Sequence, residues 1–330
     1  MAIKHPFVSG KTDSGDATLV QPSNWNATHA IDTDGITIPY SATTPASPAA
    51  DNVKIFCTEV ANRAMPAFVG PSGLDTTLQP LLARNKIAFW SPAGNSTTAP
   101  IIFNMPPLTI VSNGGTGFTA RNVATTNFVT RIKRIGIVST ANTNATGIGS
   151  LYSTAAQYTT GDGSGLGGFH YVCRFATTDA AAVAGARAFI GMSSATNAPA
   201  SGPTVEPSTL TNSIGVAQLS TDATQWYIVY GGSAVQTPIA LGTAIGAPTL
   251  INTAFEFSLF SSPSANGVVH YEMLNMQSGV KAVGTLTPTT VGVQTPASTT
   301  LLTNRMWRAN NNTPAVVGMD IISIYIETDQ

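Results

Sequence analysis

Charge is scarce in this chain. Of its 330 residues only 9% are Asp, Glu, Lys or Arg, against about 25% in ordinary soluble domains. The formal net charge is −1 and no run of Lys or Arg occurs. The densest basic stretch, Arg131, Lys133 and Arg134, is too small for a groove that tracks nucleic-acid phosphates; it reads as a solvated strand edge. Nucleic acid is therefore not expected as a partner. Cysteine is nearly missing too: Cys57 and Cys173 lie far apart. Two such residues suggest neither a disulfide framework nor a zinc site, and both read as small buried hydrophobes. No apolar run is long enough to cross a membrane as a helix. No apolar stretch follows Lys4, so the start does not read as a secretory signal. Membrane insertion and export by that route are not expected.

What the chain does have is Thr, Ser and Asn in place of charge, and 43% hydrophobic residues, many of them Ala and Val. A neutral, hydroxyl-rich surface of this kind is expected of a protein that persists outside a cell or inside a large assembly. Residues 1–35 hold Phe7, Trp25, Pro6 and Pro22 with few apolar neighbours and no sustained period. Such a segment cannot bury a core of its own and is expected to order only against a partner. Residues 41–50, SATTPASPAA, read as an extended linker.

Structure resumes at NVKIFCTEV, where alternation puts Val53, Ile55 and Cys57 on one face of a strand. A short helical turn is expected near Leu74–Leu78, stopped by Pro80, and KIAFW reads as a strand. From about residue 118 the pattern is steadily β. RIKRIGIVS is a strand with an irregularity expected at Gly136. FHYVCRFAT sets His170, Val172 and Arg174 against Tyr171, Cys173 and Phe175. In AFEFSLF, Phe255, Phe257 and Leu259 share the core face, with Glu256 and Ser258 outside. In IISIYIE, Ile322, Ile324 and Ile326 share a face opposite Ile321, Ser323 and Tyr325, and both faces are partly apolar. That suits a central strand of a two-layer core or a face covered by another subunit. Strands recurring after Gly, Pro, Asn and Ser turns argue for an antiparallel β-sandwich or jelly roll and against βαβ units. The Ala-rich TTDAAAVAGARA (177–188) reads as a turn or one short helix. The expected organisation is an arm and linker over 1–50, a small β-rich module over 51–117 and a sandwich over 118–330.

Motifs that carry chemistry are few. Gly163-Ser164-Gly165-Leu166-Gly167-Gly168 fits G-x-G-x-x-G, but a strand pattern follows it where a dinucleotide site needs a helix, so it reads as a turn. Asp32-Thr33-Asp34-Gly35 lacks the downstream Glu of a calcium loop. Glu256 and Glu272 are candidates for a glycoside-cleaving pair on neighbouring strands, with the bland reading of one exposed Glu per strand preferred. His270 and Glu272, two apart on a strand, can share a face. QWYIVY places Trp226, Ile228 and Tyr230 on one face, and Trp226 reads as core. Asp222, Gln225 and Tyr227 would then be exposed, and are the candidate glycan contacts, since a flat ring beside amide and carboxylate groups suits a saccharide. No catalytic, cofactor-binding or metal-ligating residue emerges.

The stretch HPFVSGKTDSGDATLVQPSNWNATH resembles the N-terminal leader of tailed-bacteriophage and prophage virion proteins, notably tail fibres. MPAFVGPSGLDTTLQPLLARNKIAFWSPAGNSTTAP resembles a segment common in the same group. The run from FHYVCRFATTDAAAVAGARAFIGM through NSIGV to MDIISIYIETD resembles its β-sandwich ending. The resemblance implies an all-β virion component. It would have an extended N-terminal arm, a small β-rich middle module and a C-terminal antiparallel β-sandwich of jelly-roll or concanavalin-like, lectin-like form. It also implies a homotrimeric tail fibre or spike, non-enzymatic, docked on other virion proteins through Phe7 and Trp25, with host cell-surface polysaccharide as a ligand. A head fibre, collar or decoration protein, or a glycan-degrading tailspike, are the alternatives.

Overall fold

The computed structural model describes residues 2–3, 29–30, 41, 45–49, 52–60, 63–69, 87–96, 101–106, 108–113, 118–139, 147–179, 182–199, 205–248, 252–310 and 315–328. Phe7, Trp25, the Asp32–Gly35 motif and the helical turn expected near Leu74 lie outside them. The chain divides into two compact units, Met1–Leu81 and Leu82–Gln330.

Among its described residues the first unit holds two short ladders. β1 (Ala2–Ile3) pairs with β2 (His29–Ala30), and β3 (Lys54–Val60) with β4 (Arg63–Val69), all antiparallel. The face expected to be buried on β3 is the wrong one. Phe56 is covered, while Val53 and Ile55 are more than half exposed; the ring has more apolar area to remove from water and takes the covered side. Cys57 is half-buried rather than buried.

The second unit is all-β. Its strands are β5 (Ala88–Ser91), β6 (Ile101–Phe103), β7 (Leu108–Asn113), β8 (Phe118–Arg121), β9 (Arg134–Val138), β10 (Ile148–Ser153), β11 (Phe169–Thr177) and β12 (Arg187–Ser193). Then come β13 (Ser213–Leu219), β14 (Asp222–Gly231), β15 (Ile239–Ala240), β16 (Ala254–Ser261), β17 (Val269–Asn275), β18 (Lys281–Leu286), β19 (Thr303–Ala309) and β20 (Gly318–Glu327). One sheet has the order β15-β14-β13-β12-β19-β10-β7. The other runs β18-β17-β16-β11-β20, and there splits. The Gly318–Ile321 end of β20 pairs with β9, which pairs with β8. Its Ile324–Ile326 end pairs with β5, which pairs with β6. Every one of these ladders is antiparallel. The expected boundary at residue 118 therefore moves: β5, β6 and β7 are strands of the sandwich and not of a separate middle module, because their backbone donors and acceptors are satisfied by β20 and β10.

The sheets pack face to face through one apolar cluster. Phe175 of β11, Phe255 of β16 and Trp226 of β14 meet edge-on or tilted, with ring centroids 5.5–5.8 Å apart. The alternation read from AFEFSLF holds: Phe255, Phe257 and Leu259 are fully buried, as are Tyr171, Cys173 and Phe175. A second, smaller cluster covers the outside of the seven-stranded sheet, where Val205 and Leu210 pack over Phe189, Val229 and Trp307. The Ala-rich stretch before β12 is turn among its described residues, with Gly185 at φ +71°.

Two sequence readings of β20 and β9 are corrected. Arg174 pairs with Ser323 and Phe175 with Ile321, so Ile322 has no counterpart on β11. This bulge shifts the period. Met319, Ile321, Ile324 and Ile326 all reach the central core, whereas Ile322 joins a separate cluster with Val129, Ala176 and Ala254. The second apolar face needs no other subunit to explain it. On β9 the ladder is regular at Gly136. A Cβ there would stand 2.8 Å from Arg121 Nε and 3.0 Å from Asp320 Oδ1, so the glycine makes room for an ion triad. Arg121 and Arg134 each donate to one oxygen of Asp320 at 2.8 Å. Arg134 is thus buried and paired, not a solvated edge.

Candidate functional site

The outer face of the nine-stranded sheet is open along β11, β16, β17 and β18. Alternation turns His170, Val172 and Arg174 outward on β11, and Glu256, Ser258 and Phe260 on β16. His270 and Glu272 face outward on β17, and Lys281, Val283 and Thr285 on β18. Cross-strand register sets His170 opposite Phe260, Phe260 opposite His270, and His270 opposite Thr285. The result is a row of rings across the strands. His170 meets Phe260 edge-on at 5.9 Å and Tyr325 edge-on at 6.3 Å; His270 stacks on Phe260 at 6.3 Å. Phe260 is 45% exposed and Val283 66%. Nothing among the described residues caps this row, in contrast to the covered outside of the other sheet.

Two depressions meet on it. One, of about 490 Å³, is lined by His170, Ser258, Phe260, His270, Glu272 and Thr285. The other, of about 250 Å³, is lined by Gly168, His170, Phe260, Pro263 and Glu327. They share His170 and Phe260. His270 Nδ1 lies 2.9 Å from Thr285 Oγ1, so this pair fixes the ring and leaves the other ring nitrogen for a ligand. Tyr325 donates to Glu327 at 2.5 Å; burial first, then this bond, pushes the phenol up to about 12. It remains a neutral donor across the ordinary pH range.

The carboxylates on this face are occupied. Arg174 Nε donates to Glu256 at 2.6 Å, and Lys281 Nζ to Glu272 at 2.7 Å. Glu256 lies opposite Leu274 and Glu272 opposite Ser258. The two are thus diagonal neighbours on one face, and each is held in an ion pair rather than poised as a free acid or base. Among the described residues no group of three or more His, Cys, Asp or Glu is placed to hold a metal ion.

The sequence-derived glycan candidates come together elsewhere. Between the pairs Ala217–Tyr227 and Leu219–Asp222, one residue of β13 faces four of β14. Asp222 staples this irregularity. Its Oδ1 accepts from Thr224 N–H at 2.8 Å and Thr224 Oγ1 at 2.6 Å. Its Oδ2 accepts from Gln225 Nε2 at 2.9 Å and the Tyr227 hydroxyl at 2.6 Å. Those bonds, the Thr224 hydroxyl foremost, hold the carboxyl well below the usual range. The bond to Asp222 pushes the Tyr227 phenol up. The trio is therefore contiguous, with its strongest acceptor already committed to the protein. Trp226 points into the core and is fully buried.

Gly163–Gly168 is a turn that leads into β11. Gly163, Gly165, Gly167 and Gly168 have φ between +73° and +97°, and Asp162 accepts from the N–H groups of Ser164 and Leu166. The turn sets Gly168 on the rim of the smaller depression. The sequence did carry a signal for the groove. Phe260 occupies the outward series of AFEFSLFS two residues after Ser258, and an exposed phenylalanine at a solvent position is the anomaly to notice. His270 with Glu272 was the fragment that alternation alone did reveal.

No protein-family model and no curated protein sequence matches the chain. Among solved structures, arcelin-5, a lectin-like defence protein from Phaseolus vulgaris, aligns over 74% of this chain and 98% of its own, with 9% identity and a TM-score of 0.43. A carbohydrate esterase from Shiga toxin-encoding bacteriophage phi24B aligns over 68% and 90%, with 16% identity and a TM-score of 0.39. The CBM2 module of the evolved Dit of Lactobacillus casei BL23 phage J-1 aligns over 74% and 96%, with 14% identity and a TM-score of 0.42. The sandwich assignment rests on the strand pairing above and not on these likenesses.

Proposed function

We propose that this chain is a non-enzymatic virion component of a tailed bacteriophage, a tail fibre or spike whose β-sandwich binds glycan on the host surface. The observation that carries the glycan part is the uncovered row of Tyr325, His170, Phe260 and His270 across the nine-stranded sheet, with hydroxyl and imidazole groups beside it. Sugar CH faces stack on such rings, and sugar hydroxyls bond to such polar groups. The non-enzymatic part is supported by the pairing of Glu256 with Arg174 and of Glu272 with Lys281. The virion part is supported by the charge-poor, hydroxyl-rich composition and by the resemblance of the leader sequence. On this reading Phe7 and Trp25 anchor the arm to neighbouring virion proteins, and symmetric repetition as a trimer raises affinity by avidity.

The test is competition for adsorption. Full-length chain added in excess should slow attachment of the particles that carry it, and the Phe260→Ala chain should not. Absence of the chain from purified particles would overturn the virion assignment, and competition undiminished by Phe260→Ala would overturn the groove.

A further inference from the structure

The grooves differ from a general sugar platform in their charge and in their length. We infer that their ligand is an uncharged polysaccharide, gripped along its chain rather than at a terminal residue; this rests on the glycan-binding reading above.

Charge comes first. The two cations on the groove strands, Arg174 and Lys281, are each bonded to a carboxylate of the same face. The third carboxylate bordering the grooves, Glu327, accepts from the Tyr325 hydroxyl. An acidic polymer would meet carboxylates on these strands, and the Lys and Arg side chains there are already paired. Repulsion of this kind disfavours the wrong partner more than it strengthens the right one. The polar groups that remain are hydroxyls and imidazoles. The Ser258 hydroxyl can both donate and accept, and His270, with Nδ1 held by Thr285, offers its other ring nitrogen beside it. A sugar hydroxyl also does both, whereas a carboxylate only accepts.

Length follows from the register. His270, Phe260 and His170 sit on three adjacent strands in direct cross-strand pairs. At the usual spacing between strands the row extends about 10 Å. A single pyranose covers one ring. Contact with both depressions, on either side of the His170–Phe260 pair, requires two or more linked sugars running across the strands. Phe260 then lies under the middle of the bound chain.

The experiment is calorimetry and affinity electrophoresis of the full chain at pH 8. The neutral probes are dextran, mannan, galactomannan and mixed-linkage β-glucan; the acidic probes are alginate, polygalacturonate and hyaluronan. The expected result is binding to at least one neutral polymer, unchanged in 0.5 M NaCl. Affinity should rise at least tenfold from monosaccharide to tetrasaccharide and fall at least tenfold in Phe260→Ala. His270→Ala, whose side chain is exposed, provides a second variant should Phe260→Ala lose its fold by circular dichroism. Salt-sensitive binding to an acidic polymer alone would overturn the charge inference and leave the glycan reading intact. Equal affinity for monosaccharide and tetrasaccharide would overturn binding along the chain. Binding to none of the probes would overturn the glycan reading with it.

Discussion

Arg308 and Asp179 form an ion pair in which the side chains keep only 1% and 2% of their exposure. Asp179 follows β11 in one sheet and Arg308 lies on β19 in the other. Asp179 also accepts from the Gly318 N–H at 2.9 Å, and Arg308 also donates to Gln218 Oε1 at 2.8 Å. One buried cluster therefore joins β11, β13, β19 and β20. Asp179→Ala leaves the guanidinium unpaired and should destabilise the sandwich by about 3–5 kcal/mol. The double change Asp179→Leu with Arg308→Met should lose much less. Urea unfolding of the parent chain and the two variants checks this, and equal losses would show that the pair contributes as packing alone.

Gly136→Ala should push Arg121 and Asp320 apart, since the added carbon falls 2.8 Å from Arg121 Nε. The expected loss is about 1–3 kcal/mol. Restoring space with Gly136→Ala/Arg121→Ala should recover part of it. A Gly136→Ala midpoint equal to that of the parent chain would show that the triad adjusts freely.

Trp226 and Phe260 should separate stability from binding. Trp226→Ala removes a ring packed against Phe175 and Phe255 and should lower stability by about 3–5 kcal/mol. Phe260→Ala, at a half-exposed position, should lower it by less than about 1 kcal/mol and yet abolish most carbohydrate retention on an affinity gel. The reverse ordering in thermal melts would contradict the assignment of their faces.

Asp222 predicts an acid-limb effect. Its folded pKa lies below its unfolded value, so its contribution is present above the ordinary carboxylate range near pH 4 and fades as pH falls toward the folded value. Asp222→Asn should flatten the dependence of melting temperature on pH between 5 and 2. Tyr227, with its pKa raised by the same bond, contributes below pH 10 and loses that contribution as pH climbs through its folded value. Tyr227→Phe should remove the alkaline loss. Parallel melting curves for parent and variants across both ranges would refute the staple.

The sandwich was legible wherever strict alternation met a regular ladder. AFEFSLF gave its buried face correctly, and FHYVCRFAT its two alternating sets, because β11 and β16 stay in register with one another from Phe169 to Ala176. IISIYIE misled because a one-residue bulge at Ile322 resets the period, and the partner strand that defines it is about 150 residues away in sequence. Gly136 misled for a related reason. A glycine in a strand signals either a bulge or a close approach, and only the positions of Arg121 and Asp320 decide between them. The groove was legible in pieces, as the alternation of His170 with Tyr171 and the pair His270 and Glu272. Its assembly depends on β11, β16 and β17 being neighbours. Asp222, Gln225 and Tyr227 are close in sequence and so were easy to group, but their mutual bonds make them a local staple.

The places of β19 and β20 bear on how the protein is made. Each lies in the interior of its sheet, β19 between β12 and β10 and β20 between β11 and the β9–β5 edge. Both are synthesised after every strand they join. Until Ala309 leaves the ribosome the seven-stranded layer stays split, and until Glu327 leaves it the nine-stranded layer does, so nascent chains with exposed strand edges are vulnerable to sticking to one another during translation. Stalled chains ending before Gly318 should be cut readily by protease, and chains extending past Glu327 should resist it.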